Sequence, residues 1–367
     1  MADDIHNPKL FDSSASRVVQ FEMSTKHEPF DLTPDVLVTG ACGHLGSALM
    51  SSLPDLGYRP LGIDILPADN GQHKVLTGSI SDPGFCASVF QTHPSLKYVL
   101  HTATLHKPHV DSHSKAEFID TNIHGTLNLL EAASSKPNPI EGFIFTSTTS
   151  AFGKALAPKP GRPAAWIDEQ VTPVPKNIYG ATKVAAEDLC QLVQVETRMP
   201  TIVLRTSRFF PEEDDNDTAR EEYEDDNLKV LELLYRRVDI HDVVSAHVCA
   251  MRKAKEIGWA KYIISAPPPF TNNPSLLKQL DTDAAEAITQ VRPAQAKILL
   301  DRGWKLPTRL DRVYNPSKAI AELDWTPIYT FERAVAQIQD GRDWRSPLTV
   351  QTGRRGYHAT PTGVYTR

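Results

Sequence analysis

A chain of 367 residues can bury a large core, as one large or two unequal domains, so small disulfide- or metal-stapled scaffolds are excluded. With 40% hydrophobic and 23% charged residues and a formal charge of −6, the composition is that of an ordinary globular protein, and no excess of basic charge points to nucleic acid or an anionic membrane as a partner. Cys42, Cys86, Cys190 and Cys249 are widely spaced and form no CxxC pair, and no stretch approaches the ~18 apolar residues of a membrane span or forms a signal peptide, so reduced thiols and a soluble, cytoplasmic protein are expected.

Residues 1–33 are polar and read as an N-terminal arm, in which "SRVVQFEM" offers a short edge strand. From Val36 onward short apolar runs alternate with helical patterns. "VLVTG", "YRPLGIDIL", "KVLTG", "YVLHTA", "FIFTST" and "TIVLRT" read as strands. Between them "HLGSALMSSL", "PGFCASVFQTH", "KAEFIDTNIHGTLNLLEAASS" and "YGATKVAAEDLCQLVQVE" carry apolar residues at helical spacing. Strand and helix in alternation imply a parallel sheet covered on both faces. "APKPGRPAAWIDEQVTPVPKN" is a Pro-rich connection long enough to be a flap. Beyond Arg208 the pattern is mixed, through "NPSKAIAELDWTP" and "FERAVAQIQDG" to an irregular tail from Trp344.

The stretch "VLVTGACGHLGSALM" places Gly40, Gly43 and Gly46 at the junction of the first strand and a helix, with Cys42, His44 and Leu45 between them. The first glycine permits a tight turn, the second a close backbone approach to a pyrophosphate, and the third close helix-to-strand packing, while the helix N-terminus favours the negative charge. Asp64 ends the second strand, where an acidic residue bonds ribose hydroxyls and repels a 2′-phosphate, so NAD is expected over NADP. These features predict an α/β fold, a Rossmann-type doubly wound parallel sheet with a small C-terminal α+β substrate lobe. The expected divisions are 34–207 for the NAD-binding domain, 208–343 for the substrate lobe with later elements returning to the sheet, and 344–367 for the tail.

Tyr179 and Lys183 stand one turn apart on a helix. A tyrosine whose ordinary pKa is near ~10 is expected to shift toward phenolate beside an ammonium, and so to exchange a proton with a substrate hydroxyl. Upstream, "FIFTSTTSAFG" ends a strand in hydroxyl residues.

With these motifs the chain resembles the extended short-chain dehydrogenases/reductases of the NAD-dependent epimerase/dehydratase family, over about residues 36–339. The resemblance rests on "TGACGHLG", Asp64, "HTATLH", "NIHGTLNLLEA", "STTSAFG", "YGATK" and "RRVDIHDVVSAHV". It implies a catalytic set of Thr148, Tyr179 and Lys183, with Ser147 and Thr149 as alternatives for the hydroxyl, and Lys183 also bonding the nicotinamide ribose. It further implies that Thr102, Ala103 and Thr104 line the cofactor groove, that Asn122 stands behind it, and that Ser79 and Ile80 flank the adenine, although relatives usually carry an acid at the position of Ser79. A homodimer pairing the Tyr179 helix is expected on the same ground.

The substrate half departs from those relatives. His106 stands where a lysine is common, and Arg208 replaces an Asn near the substrate phosphates. Arg208 suits an anionic ligand group or, equally, an ion pair with the acids downstream. Ten of the fifteen residues from Glu212 to Asp226 are acidic, a run read as a solvated surface standing in place of a nucleotide-clasping subdomain. Thr149, Arg208 and His106 are the substrate-site candidates. His241, Asp242 and His247 look like a metal set, but i, i+6 spacing separates the histidines around a helix, so no metal is expected. His109, Asp111, His113 and Lys107 read as a polar loop, and Trp304, Trp325 and Tyr314 as lobe packing. The function expected is NAD-dependent hydride exchange at a hydroxyl or keto carbon of a small polar or carboxylated, possibly sugar-like, substrate. The alternatives are a nucleotide-sugar 4-epimerase or dehydratase and a non-catalytic NAD sensor.

Overall fold

The computed structural model describes residues 33–67, 73–214 and 216–355. The arm with its edge strand, and the tail beyond Arg355, lie outside the described residues. Seven parallel strands form one sheet in the order β3-β2-β1-β4-β5-β7-β8. They are β1 (Val36–Thr39), β2 (Pro60–Asp64), β3 (Val75–Thr77), β4 (Tyr98–His101), β5 (Gly142–Thr148), β7 (Thr201–Thr206) and β8 (Trp259–Ile264). A separate parallel pair joins β6 (Ala165–Ile167), in the Pro-rich connection, to β9 (Arg312–Tyr314). The six expected strands are present and the expected doubly wound parallel sheet is the observed one; β8 extends it where the sequence pattern was mixed.

Because both faces are covered, alternate residues of each strand enter different cores. Val36 and Val38 pack with Leu100, Ile144 and Ile202 against the His44–Ser52 and Ile240–Ile257 helices. Leu37, Val99, Phe143, Phe145 and Val203 pack on the other face with the Pro83–Thr92, Gly125–Ser134 and Ile178–Thr197 helices. Inversion of strand order around β1 and β4 opens a crevice at their C-terminal ends, the usual ligand position of such sheets.

A third core is built by the Asp225–Glu232, Pro274–Thr282, Ala284–Val291 and Pro293–Asp301 helices with Trp304, Phe331 and Trp344. Among the described residues between Arg208 and Val238 the chain forms only two short helices, Asp217–Glu222 and Asp225–Glu232, and most of the lobe is made from residues downstream of Val238. Most of the acidic run is exposed, as expected: Glu213, Asp217, Glu221, Glu222, Glu224, Asp225 and Asp226 face solvent, while Glu212 and Asp214 are buried. Glu224 accepts a hydrogen bond from Trp304 Nε1 (3.1 Å), and Asp226 from Trp344 Nε1 (3.0 Å). The tail is not wholly irregular, since Pro347–Thr352 forms a short helix.

Candidate active site

A cavity of about 800 Å³ runs along the C-terminal ends of the strands, from Asp64 and Ser79 past the glycine loop to Thr148, Tyr179 and Arg236. At its start, Gly40 has φ +67°, and a Cβ there would lie 2.9 Å from the Ala103 backbone. A Cβ on Gly46 would lie 1.9 Å from the Gly40 carbonyl oxygen, so only glycine lets this helix meet the first strand. Gly43 caps the helix without a side-chain hydrogen bond. Free N-terminal amides and a bare backbone cradle fit a cofactor pyrophosphate. Asp64 Oδ2 accepts from Cys42 N (2.9 Å) and Oδ1 from Leu66 N (2.9 Å), which fixes the carboxylate at the cavity edge. Cys42 thus contributes its amide to Asp64 and does not itself line the cavity. His44, Leu45, Ser79, Ile80, Thr102, Ala103 and Thr104 do line it.

Behind this wall runs a neutral hydrogen-bond chain. Thr39 Oγ1 accepts from Thr102 N and Ala103 N (3.1 and 3.0 Å) and meets His101 Nδ1 at 2.7 Å; His101 Nε2 meets Thr126 Oγ1 at 3.0 Å, and that hydroxyl donates to Asn122 O (2.7 Å). Complete burial holds His101 well below the ordinary imidazole range, so it acts as a neutral strut. Asn122 lies in a π-helical turn, Asp120–His124, inside an otherwise α-helical segment. Its Oδ1 accepts from Leu105 N and Thr104 Oγ1, and its Nδ2 donates to Leu105 O and Thr182 Oγ1, all at 2.8–3.0 Å. All four hydrogen-bonding positions of the amide are used, so Asn122 positions the loop after β4 against the Tyr179 helix and does not face the cavity.

At the cavity floor Thr148, Thr149 and Tyr179 come together. Ser147 instead donates to Glu187 Oε1 (2.6 Å), a carboxylate also held by Arg205 (2.7 and 3.0 Å) and Lys261 (3.1 Å), which leaves Thr148 as the hydroxyl beside the tyrosine. Burial pushes the Tyr179 phenol up to about 12, opposed by a hydrogen bond with Thr148. The same burial brings Lys183 down to about 7, opposed by Cys190 and Glu187. Lys183 Nζ lies 4.0 Å from the centre of the Phe145 ring, behind the cavity. Lys183 is not among the causes of the Tyr179 shift, so the expected lowering of the phenol by the ammonium is not seen: burial raises it, and Tyr179 is protonated at neutral pH.

Arg208 lines the cavity but is engaged by Asp214 and by Glu232 Oε1 (2.9 Å), the ion-pair alternative rather than a free ligand site. Glu232 also binds Arg236 (2.7 Å) and Arg237 (2.7 Å), and these three guanidinium groups hold its carboxyl far below the usual range against the cost of burial. Arg236 Nε and Ser207 Oγ are buried without a hydrogen-bond partner, on residues that line this end of the cavity with Arg312 and Tyr314. From sequence Arg236 stood only as a possible neutraliser of a substrate diphosphate and Tyr314 as lobe packing, while Ser207, inside "LRTSR", and Arg312 were not singled out. His106 lines the opposite wall, its ring 5.5 Å from Phe210 and 4.7 Å from His109. His247 is bonded to Thr146 Oγ1 (2.7 Å) and Val243 O (2.8 Å), His241 packs on Tyr329, and Asp242 accepts from Ile328 N and Tyr329 N. Among the described residues no group of three His, Cys, Asp or Glu side chains is placed to hold a metal.

Known proteins resemble this chain to different extents. The UDP-glucose 4-epimerase of Yersinia pestis is 30% identical over 174 residues, 44% of this chain and 48% of that protein. UDP-glucuronate 4-epimerase 3 of Arabidopsis thaliana is 27% identical over 168 residues, 42% of this chain and 37% of that protein. The chain thus spans about half the length, or less, of the curated relatives it matches. Among solved structures, the UDP-glucose 4-epimerase of Thermotoga maritima with UDP-glucose superposes with a TM-score of 0.56 at 22% identity, covering 84% of this chain and 99% of that one. The Thermus thermophilus UDP-glucose 4-epimerase in complex with NAD gives 0.54 at 21% identity, covering 80% and 94%. At this identity the two structures share the fold. Residues 36–263 match the model of the NAD dependent epimerase/dehydratase family, and the chain belongs to that family.

Proposed function

We propose that the protein is an NAD-dependent oxidoreductase of extended short-chain dehydrogenase type, acting on a hydroxyl or keto carbon of a small polar, anionic or sugar-like substrate. The observation that carries this reading is that Thr148 and Tyr179 open into the same cavity as the uncapped glycine loop and Asp64. Bound NAD supplies the hydride acceptor or donor at its nicotinamide. Tyr179, protonated and desolvated, gives a proton to a carbonyl oxygen or takes one back from the alcohol, while Thr148 orients the phenol. Lys183, buried one turn away, supports the far side of the same floor and switches charge near neutrality. Gly40, Gly43, Gly46 and Asp64 hold the cofactor's phosphate and ribose, and Asp64 disfavours a 2′-phosphate. Residues 34–207 act as the cofactor half and 208–343 as the substrate half. The protein works as a cytoplasmic homodimer paired through the Ile178–Thr197 helix, on which Leu192 and Val195 are half exposed.

A nucleotide-sugar 4-epimerase or dehydratase is the second reading, favoured by the partnerless Arg236 Nε on the lobe side of the cavity and by the activities named for the relatives. The retained tyrosine–lysine pair argues against a non-catalytic sensor. Mass spectrometry of small molecules released from the denatured, purified protein tests the cofactor, and protection of the NAD-loaded protein from thermal unfolding by UDP-glucose or UDP-glucuronate tests the second reading. Absence of any released or titratable nicotinamide nucleotide sinks the first reading; absence of protection sinks the second.

A further inference from the structure

His44, between Gly43 and Leu45 in the glycine loop, is buried and is a meeting point for two segments distant in sequence. Its Nε2 donates to Gly353 O at 2.7 Å, where the Pro347–Thr352 helix ends. The same nitrogen lies 3.5 Å from Glu212 Oε1, and the ring packs edge-on against Phe210 at 5.8 Å. The C-terminal helix is anchored at its other end, because Asp239, which caps the Ile240–Ile257 helix, accepts from Ser346 N and Thr349 Oγ1, both at 3.0 Å. Glu212 is 4% exposed and no other residue donates a hydrogen bond to its carboxyl. An imidazole in this loop is therefore held from behind by Gly353 and Glu212, neither of which lines the cavity.

We propose that His44 is a positioning residue for the cofactor loop, a latch through which the C-terminal helix and the acidic connector hold the glycine loop in its binding conformation. This rests on the proposed cofactor reading and adds to it a dependence of cofactor affinity on Gly353 and Glu212. The charged groups around the latch are Arg355 facing His44, and Arg354, Lys229 and Arg237 facing Glu212, with Glu213 4.0 Å from Arg354. Burial pushes Glu212 up to about 7 and brings His44 down to about 4, so near pH 6 both are neutral and the imidazole N–H is free to serve Gly353. As pH rises through about 7, the Glu212 carboxylate forms beside that N–H and competes with the Gly353 carbonyl. Cofactor affinity then falls.

Calorimetric titration of the full-length protein with NAD⁺ at about pH 6 and about pH 8.5, on either side of the Glu212 titration, tests the latch. The wild type binds more tightly at the lower pH. His44→Phe keeps a ring against Phe210 but loses the donor, so it binds roughly three- to tenfold more weakly, the worth of one hydrogen bond, and loses the pH dependence. Glu212→Gln binds equally at both pH values. The latch is overturned by a His44→Phe protein that matches wild-type affinity at both pH values, or whose loss is accompanied by an equal fall in the melting temperature of the cofactor-free protein. Should His44→Phe not fold, Glu212→Gln decides alone, and a pH dependence that persists in it overturns the proposal. A wild type that binds no NAD⁺ overturns the cofactor reading and the latch together; a wild type that binds with no pH dependence overturns only the latch.

Discussion

On the glycine-loop side of the cavity, Thr39, His101, Thr126 and Asn122 link β1, β4 and the following helix through uncharged hydrogen bonds. On the lobe side, one buried carboxylate, Glu232, gathers Arg208, Arg236 and Arg237. The two walls respond differently to loss of a member. Removing one link of a neutral chain leaves a hydroxyl or amide to be rehydrated, whereas removing the central carboxylate leaves several cations desolvated and mutually repelling. In the proposed function the first wall backs the cofactor, and the second keeps positive charge on the substrate side without offering it freely.

The most direct way to break this contrast is Glu232→Gln. It is expected to destabilise the protein by about 3–5 kcal/mol in denaturant unfolding, and a loss below about 1 kcal/mol would show the cluster to be no more than surface pairing. Tyr179→Phe tests the chemistry assigned to the neutral side. Turnover should drop roughly a thousandfold, about 4 kcal/mol, with NAD⁺ affinity within about twofold of wild type.

Glu212→Gln sharpens the comparison in the opposite direction, because here a buried carboxyl has no cation in contact. Its folded pKa of about 7 lies above the ordinary 4.5, so ionisation costs stability progressively from pH 4.5 to about 7 and fully above that. The variant should be more stable than wild type by roughly 2–3 kcal/mol at about pH 8, with the gain vanishing near pH 4. Melting curves across pH read this, and a constant difference would refute the sign. The smallest effect is at Asp64, where Asn substitution should narrow the preference for NAD⁺ over NADP⁺ by about tenfold, roughly 1.4 kcal/mol, in parallel binding titrations.

What the sequence made legible was local. The glycine loop, Asp64 and the Tyr179–Lys183 spacing are each contained in one strand, turn or helix, and their placement follows from those elements alone. Thr148 was implied by the family resemblance, with Ser147 and Thr149 as alternatives, and only packing shows Ser147 turned to Glu187 on a neighbouring helix. The lobe side was not legible, because residues 208, 214, 232, 236 and 237 meet only after the chain has turned back twice. Their charges, read in line, look like a solvated acidic run followed by two arginines. The direction of the Tyr179 shift was missed for a related reason: spacing places Lys183 on the same helical face, but only packing reveals that its ammonium rests on Phe145 in a dry environment. β8 was missed because "WAKYII" alternates too briefly to be distinguished from the surrounding helices.

The π-turn at Asp120–His124 holds one residue more than an α-helix of the same length would. Deleting a single residue there would yield a more regular helix, and for that reason a tempting stabilising edit. The flanking helical segments would keep their register, because the wide turn absorbs the extra residue locally, but Asn122 would lose the place from which it braces the loop after β4 and accepts from Thr126. The irregularity is thus an insertion whose repair would undo the site, and any redesign that idealises this helix has to leave it in place.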